Sequence, residues 1–197
     1  MTIDERFYHL YRVISSPRFL QMQGLGNEVP FFICPFPPEE AVAMTAMIPR
    51  LTKKLEAEKG LHILTVDLYD LSIDILRERG IFDQILRMEP EMPKEELLEL
   101  LQNVLDPEEH LVPAIVSKTE ETTFGVLFIT GIGEVFPYIR SHTLLNNLQA
   151  HLPRRPMIMF FPGEYTQSLE TGASLDLFGR LHDDQYYRAF DIFQVEP

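Results

Sequence analysis

The sequence predicts an α/β fold: a single-domain three-layer sandwich with a mainly parallel sheet of about five strands and a helical insert. Three observations carry this. Short runs of apolar, β-branched and aromatic residues recur at Val29–Phe36, Leu61–Leu68, Phe124–Thr130, Pro156–Phe161 and Phe190–Val195, too short for helices and without the polar alternation of a half-exposed strand. Between them lie segments whose apolar residues fall at helical spacing. Strands separated mainly by helices need crossover connections, which make neighbouring strands parallel and place helices on both faces. A chain of 197 residues with 45% hydrophobic content can fill such a core, and 1–197 is expected to be one domain.

In chain order, Ile3, Phe7, Leu10, Tyr11 and Ile14 predict a first helix, closed by Ser15, Ser16 and Pro17. The pair Gly24 and Gly26 marks a turn before the first strand. Pro37 and Pro38 open the next helix, with Glu39 and Glu40 in its first turn and Gly60 at its end. Pro49 lies inside that pattern and removes a backbone donor, which predicts a kink or two shorter helices. After the second strand, Leu71–Arg79 reads as a helix stopped by Gly80.

Residues 82–121 hold no strand pattern. Pro93 starts one helix and Asp106 with Pro107 another, so the span reads as a helical crossover insert. It carries eleven acids against three bases, and most of the chain's net charge of −13 is local to it.

The stretch Thr123–Leu148 is the one the rest is organised around. Phe124–Thr130 suits a strand buried in mid-sheet, Gly131 and Gly133 permit a sharp turn, and a helix-like segment carrying Glu134, Arg140 and His142 follows. In open parallel sheets ligands and partners meet the loops at the carboxyl ends of strands. That turn is therefore the first place to look for function.

Several function classes are disfavoured by composition. Strong negative charge argues against gripping phosphate backbones or anionic lipid, so neither nucleic acid nor membrane is expected as a direct partner. The single cysteine, Cys34, cannot form an internal disulfide; with no cationic neighbour in sequence it reads as a buried structural thiol. The start MTIDERF lacks the basic and apolar regions of a signal peptide, and no run approaches a membrane-spanning length. The expected location is the cytoplasm.

Strong chemical signatures are missing as well. None of the five lysines follows a glycine, so no phosphate-binding P-loop exists, and the glycine pairs lack the third member of a dinucleotide-binding fingerprint. His182, Asp183 and Asp184 are adjacent, point in different directions and make poor joint metal ligands. No cofactor, metal or catalytic residue is assigned. The acids Asp67, Asp70, Glu134 and Glu164 fall at expected strand ends, where a pair could do acid–base work; such acids also cap helices or pair with Arg140 and Arg180. From Ser174 to Phe190, aromatic residues are interleaved with arginines, the composition of interface hot spots. The partner-surface candidates are accordingly Glu134, Arg140, Glu164, Arg180, His182, Asp183, Tyr186, Tyr187 and Arg188.

Four segments, GNEVPFFICPFPPEEA (Gly26–Ala41), DLYDLSIDILRERG (Asp67–Gly80), LFITGIGEVFPYIRSHTLLNNLQ (Leu127–Gln149) and MFFPGEYTQSLETGASLDLFGRLHDDQYYRAF (Met159–Phe190), resemble the BrxB family of bacteriophage-exclusion (BREX) systems. The resemblance spans nearly the whole chain. It implies a component of a system that modifies host DNA and blocks phage replication, alongside a methyltransferase (PglX), a P-loop ATPase (BrxC) and an alkaline-phosphatase-like protein (PglZ). The family has no assigned catalysis, so the resemblance implies a non-catalytic adaptor binding other BREX proteins, PglZ-like or BrxC-like first. The alternatives are a carboxylate-dependent hydrolase and a degenerate P-loop-like nucleotide sensor.

Overall fold

Thr2 opens the first helix through a reciprocal cap: its hydroxyl accepts from the Glu5 amide at 3.2 Å, and the Glu5 carboxylate accepts from the Thr2 amide at 2.7 Å. This helix, α1 (Ile3–Ile14), buries Phe7, Leu10, Val13 and Ile14, the face its spacing predicts. Ser16 caps one further turn, α2 (Pro17–Leu20), which buries Phe19. The computed structural model describes residues 1–22, 30–152, 154–168, 172–179 and 189–197. The Gly24 and Gly26 turn lies outside them.

The first strand, β1 (Phe31–Phe36), leads through a 3-10 turn at Pro38–Glu40 into α3 (Ala41–Lys59), which ends on Gly60 in the left-handed region at φ 62°. The helix is not divided at Pro49, contrary to the reading as two shorter helices. Thr45, whose carbonyl loses its donor there, and Pro49 itself are both exposed, so water can serve the orphaned carbonyl. The second strand, β2 (Ile63–Asp67), passes directly into α4 (Leu68–Glu78), three residues earlier than the apolar pattern suggests. Asp67 is the cause, because its carboxylate caps the helix.

Residues 82–121 are helical as expected: α5 (Phe82–Met88), α6 (Lys94–Val104), then a π turn at Pro107–Leu111 running into α7 (Val112–Glu121). The central strand, β3 (Val126–Thr130), is followed by turns rather than by helix, and α8 (Ser141–His151) begins only after Arg140. Glu134 and Arg140 therefore lie on the connection. That connection includes Gly131 in the left-handed region at φ 78° and a cis Phe136–Pro137 bond.

The last strands depart most from expectation. β4 (Met157–Ser168) runs past Pro162 and Gly163 to pair with an antiparallel strand, β5 (Gly172–Leu177), which sequence reading did not separate from the aromatic–arginine segment. Pro162 is the last residue of β4 in register with β1, opposite Phe36, and its carbonyl already accepts from the Phe178 amide at 2.9 Å. One partner strand thus replaces another at the proline. The final strand, β6 (Phe190–Asp191), is shorter than the predicted Phe190–Val195 because the Asp191 carboxylate accepts from the Phe193 amide at 2.9 Å and turns the chain into a 3-10 helix.

The sheet order is β2-β3-β4-β1-β6, all parallel, with β5 antiparallel to the outer half of β4. Alternation along each strand divides the core into two halves. Phe32, Cys34, Phe128, Ile158 and Phe160 face α1 and α3, which contribute Leu10, Ile14, Met44, Leu51 and Leu55. Phe31, Ile33, Leu127, Ile129, Met157 and Met159 face α4, α7 and α8, through Leu71, Ile75, Ile115, Leu144 and Leu148. This is the predicted three-layer arrangement. Among the described residues no helix is long and apolar enough to cross a membrane.

Cys34 is fully buried, and burial pushes its thiol pKa well up, against a smaller opposing pull from Arg6. Because folding favours the protonated thiol, that contribution to stability is fully present below the unfolded thiol's pKa and is lost as pH climbs towards the folded value. Iodoacetamide is expected to label native protein very slowly, with a rate that rises with urea as unfolding does. Rapid labelling without denaturant would contradict this placement.

Candidate functional site

Parallel strands end together, so the last residues of β1, β2, β3 and β4 surround one region of the surface. Asp67, the last residue of β2, organises it. One carboxylate oxygen accepts from the Tyr69 and Asp70 amides at 3.0 and 3.1 Å, and the other accepts from the Thr130 hydroxyl at 2.8 Å. One side chain thereby caps α4 and ties the end of β2 to the end of β3. Gly131 follows at φ 78°, and a Cβ there would stand 2.8 Å from the Asp67 carboxylate. The glycine is required both for its conformation and for this close approach. Asp67→Ala is expected to cost about 1–2 kcal/mol, read as a lower urea midpoint with unchanged slope; an unchanged midpoint would mean the cap is idle.

Beside this knot is a cavity of about 430 Å³. Phe36, Phe160 and Pro162 form its sheet side, Met44, Thr45 and Ile48 of α3 its opposite wall, and Ile132, Gly133, Glu134 and Phe178 its rim. Thr65 is exposed although it sits mid-strand on the α3 side of β2, because it opens into this space. A second cavity of about 670 Å³ adjoins it and shares Phe36, Pro38 and Phe178. It contains Arg6, a buried residue of α1 that donates to the Pro35 carbonyl at 2.7 Å and to Glu40 at 3.2 Å, with its guanidinium over the Phe193 ring. Sequence reading passed over Arg6, although its spacing from Leu10 and Val13 places it on the apolar face of α1. A base on such a face is a signal.

Of the predicted surface residues, Glu134 and Arg140 are exposed on the connection between β3 and α8, and Glu164 is exposed on β4 opposite Asp176. Glu134 borders the first cavity and Glu164 the second, with Phe178 between the two. Arg180, His182, Asp183, Tyr186, Tyr187 and Arg188 lie outside the described residues. Large apolar side chains also stand exposed at this end, Tyr69 at 47% and Phe178 at 37%. Phe136 packs edge-on against Phe178, with ring centroids 6.3 Å apart. Burial raises the Tyr138 pKa, and the Tyr69 and Glu134 charges add to it, so its hydroxyl remains a donor. Among the described residues no group of three or more His, Cys, Asp or Glu is placed to hold a metal ion.

The family model described as "BREX protein BrxB" matches residues 64–192, from β2 to the turn after β6. The chain belongs to the BrxB family of BREX phage-defence systems. The BREX protein BrxB of Bacillus cereus (strain H3081.97) is 34% identical over 193 residues, covering 96% of this chain and 97% of that relative. The BrxB protein of Escherichia coli O9:H4 (strain HS) is 28% identical over 190 residues, covering 96% and 91% respectively. No solved structure matches the chain. The matched BrxB span contains Thr65, Asp67, the Thr130–Glu134 turn and Phe178, whereas the α3 wall of the cavity lies before it; both BrxB relatives align over nearly the whole chain, that wall's sequence range included.

Proposed function

We propose that this BrxB-family chain is a non-catalytic adaptor of a BREX complex that acts in the cytoplasm by binding other BREX proteins. The observation that carries the reading is the rim at the carboxyl ends of the strands, where Tyr69 and Phe178 are exposed, Phe178 and Glu134 border one cavity, and Arg140 is exposed further along the same connection as Glu134. Aromatic rings with an arginine and a polar surround are what desolvated anchors of protein interfaces are made of. The sequence from Arg180 to Arg188 continues the same composition directly after Phe178. Support against the carboxylate-hydrolase alternative comes from Asp67, whose two oxygens already serve two amides and a hydroxyl, leaving it poorly suited to shuttle protons. The net charge of −13 favours a protein partner over a phosphate backbone.

The test is purification of the tagged chain from cells expressing its whole BREX operon, followed by size-exclusion chromatography. Co-elution of another BREX protein, a PglZ-like or BrxC-like product first, is the expected result. Elution of the chain alone, from cells in which the other products are soluble, would overturn the reading.

A further inference from the structure

We propose that the cavity between α3 and the ends of β2 and β3 is a binding site for an organic cation, an ammonium or guanidinium group carried on an apolar stem. Its size, about 430 Å³, falls within the range of small-ligand sites. Its walls suit an apolar stem, since Phe36 and Phe160 from the sheet face Met44 and Ile48 from α3. Thr65, mid-strand on the α3 side of β2, is exposed into this space, so the helical layer leaves the sheet uncovered there.

The polar groups choose the charge. The Thr45 hydroxyl donates its proton to the Ala41 carbonyl at 3.0 Å, and the Thr130 hydroxyl donates its proton to Asp67 at 2.8 Å. Both protons are committed, and what these oxygens have left to offer is lone pairs. Asp67 and Glu134 add two carboxylates, and no lysine, arginine or histidine is among the described lining residues. The Thr65 hydroxyl could serve either charge, but a phosphate or carboxylate would face the Asp67 and Glu134 carboxylates, whereas an N–H-rich cation finds an acceptor on each of these side chains. Such a cation has two sources, a free amine or the lysine or arginine of a bound protein. The inference stands on the cavity and does not require the adaptor reading.

The experiment is methyl-detected NMR of the full chain, following Met44, Ile48 and Ile132 during titration with agmatine, with the peptide acetyl-Leu-Arg-Leu-amide, and with hexanoate as an anion of similar length. Shifts of these methyls with agmatine are expected if the source is a free amine, and shifts with the peptide alone if it is a side chain. Hexanoate should leave them in place. Glu134→Gln, an exposed substitution, should weaken binding of whichever cation responds by about tenfold. No shift with either cation, an equal response to hexanoate, or full affinity in Glu134→Gln would each overturn the proposal.

Discussion

Phe128→Asp is expected to yield no soluble, folded protein. Phe128 lies mid-sheet in β3, in register with Thr65 on one side and Ile158 on the other, fully buried, with its ring edge-on to Phe160 at 5.1 Å between centroids. A carboxylate there loses its hydration and gains no cation, a cost of several kcal/mol that matches the whole stability of a typical domain, about 5–15 kcal/mol. Phe128→Ala gives a graded companion: the cavity it leaves should cost about 3–5 kcal/mol while keeping the charge out of the core. Soluble yield and circular dichroism check both. Native-like yield of the aspartate variant would remove β3 from the centre of the sheet.

Gly163→Ala is expected to open the β4–β5 hairpin. A Cβ at Gly163 would meet the Asp176 carbonyl oxygen closer than any real Cβ approaches another atom, with the Phe161 ring at 2.9 Å and the Phe178 amide at 3.0 Å. Two of these three neighbours are backbone and cannot rotate away, so the strands must part. The loss should be about 2–3 kcal/mol, because Leu175 and Leu177 are buried and surrender part of their cover. Hydrogen exchange of the β5 amides locates the damage, and a urea midpoint equal to wild type would contradict it. Phe178 follows β5 directly and borders both cavities, so this variant should also weaken cation binding without touching a lining polar group.

What the sequence made legible was set by whether the controlling interaction was local. The strands β1 to β3 and the helices around them could be read because burial on both faces leaves uninterrupted apolar runs, and because glycines and prolines punctuate them. Helix α4 began early because Asp67 caps it, and that aspartate could be suspected only as an acid at a strand end. The continuation of β4 beyond Pro162 was hidden because the partner changes at that residue from β1 to β5, a tertiary event with no periodic signature. The turn after β3 could be read as a glycine-rich strand end, yet the cavity beside it needs Met44, Thr45 and Ile48 of α3, more than eighty residues earlier in the chain. Nothing in spacing alone joins these two stretches. Arg6 is hidden in the sequence because a buried base does not add to the apolar stripe that marks the inner face of α1.

The central claim is that the rim anchors a BREX partner, and surface plasmon resonance against the co-purifying protein tests it most directly. Two variant sets are compared at low and physiological salt, with circular dichroism confirming that each is folded: Tyr69→Ala with Phe178→Ala at the rim, and Glu95, Glu96 and Glu99 reversed to Lys on α6. Desolvated anchors act on the off-rate with little dependence on salt, whereas exposed charges act on the on-rate and are screened. The account predicts faster dissociation of the rim variants at both salt concentrations, worth about 2 kcal/mol or more for a true anchor, and little change on α6. Unaltered dissociation of folded rim variants, with binding lost instead on charge reversal in α6, would contradict it.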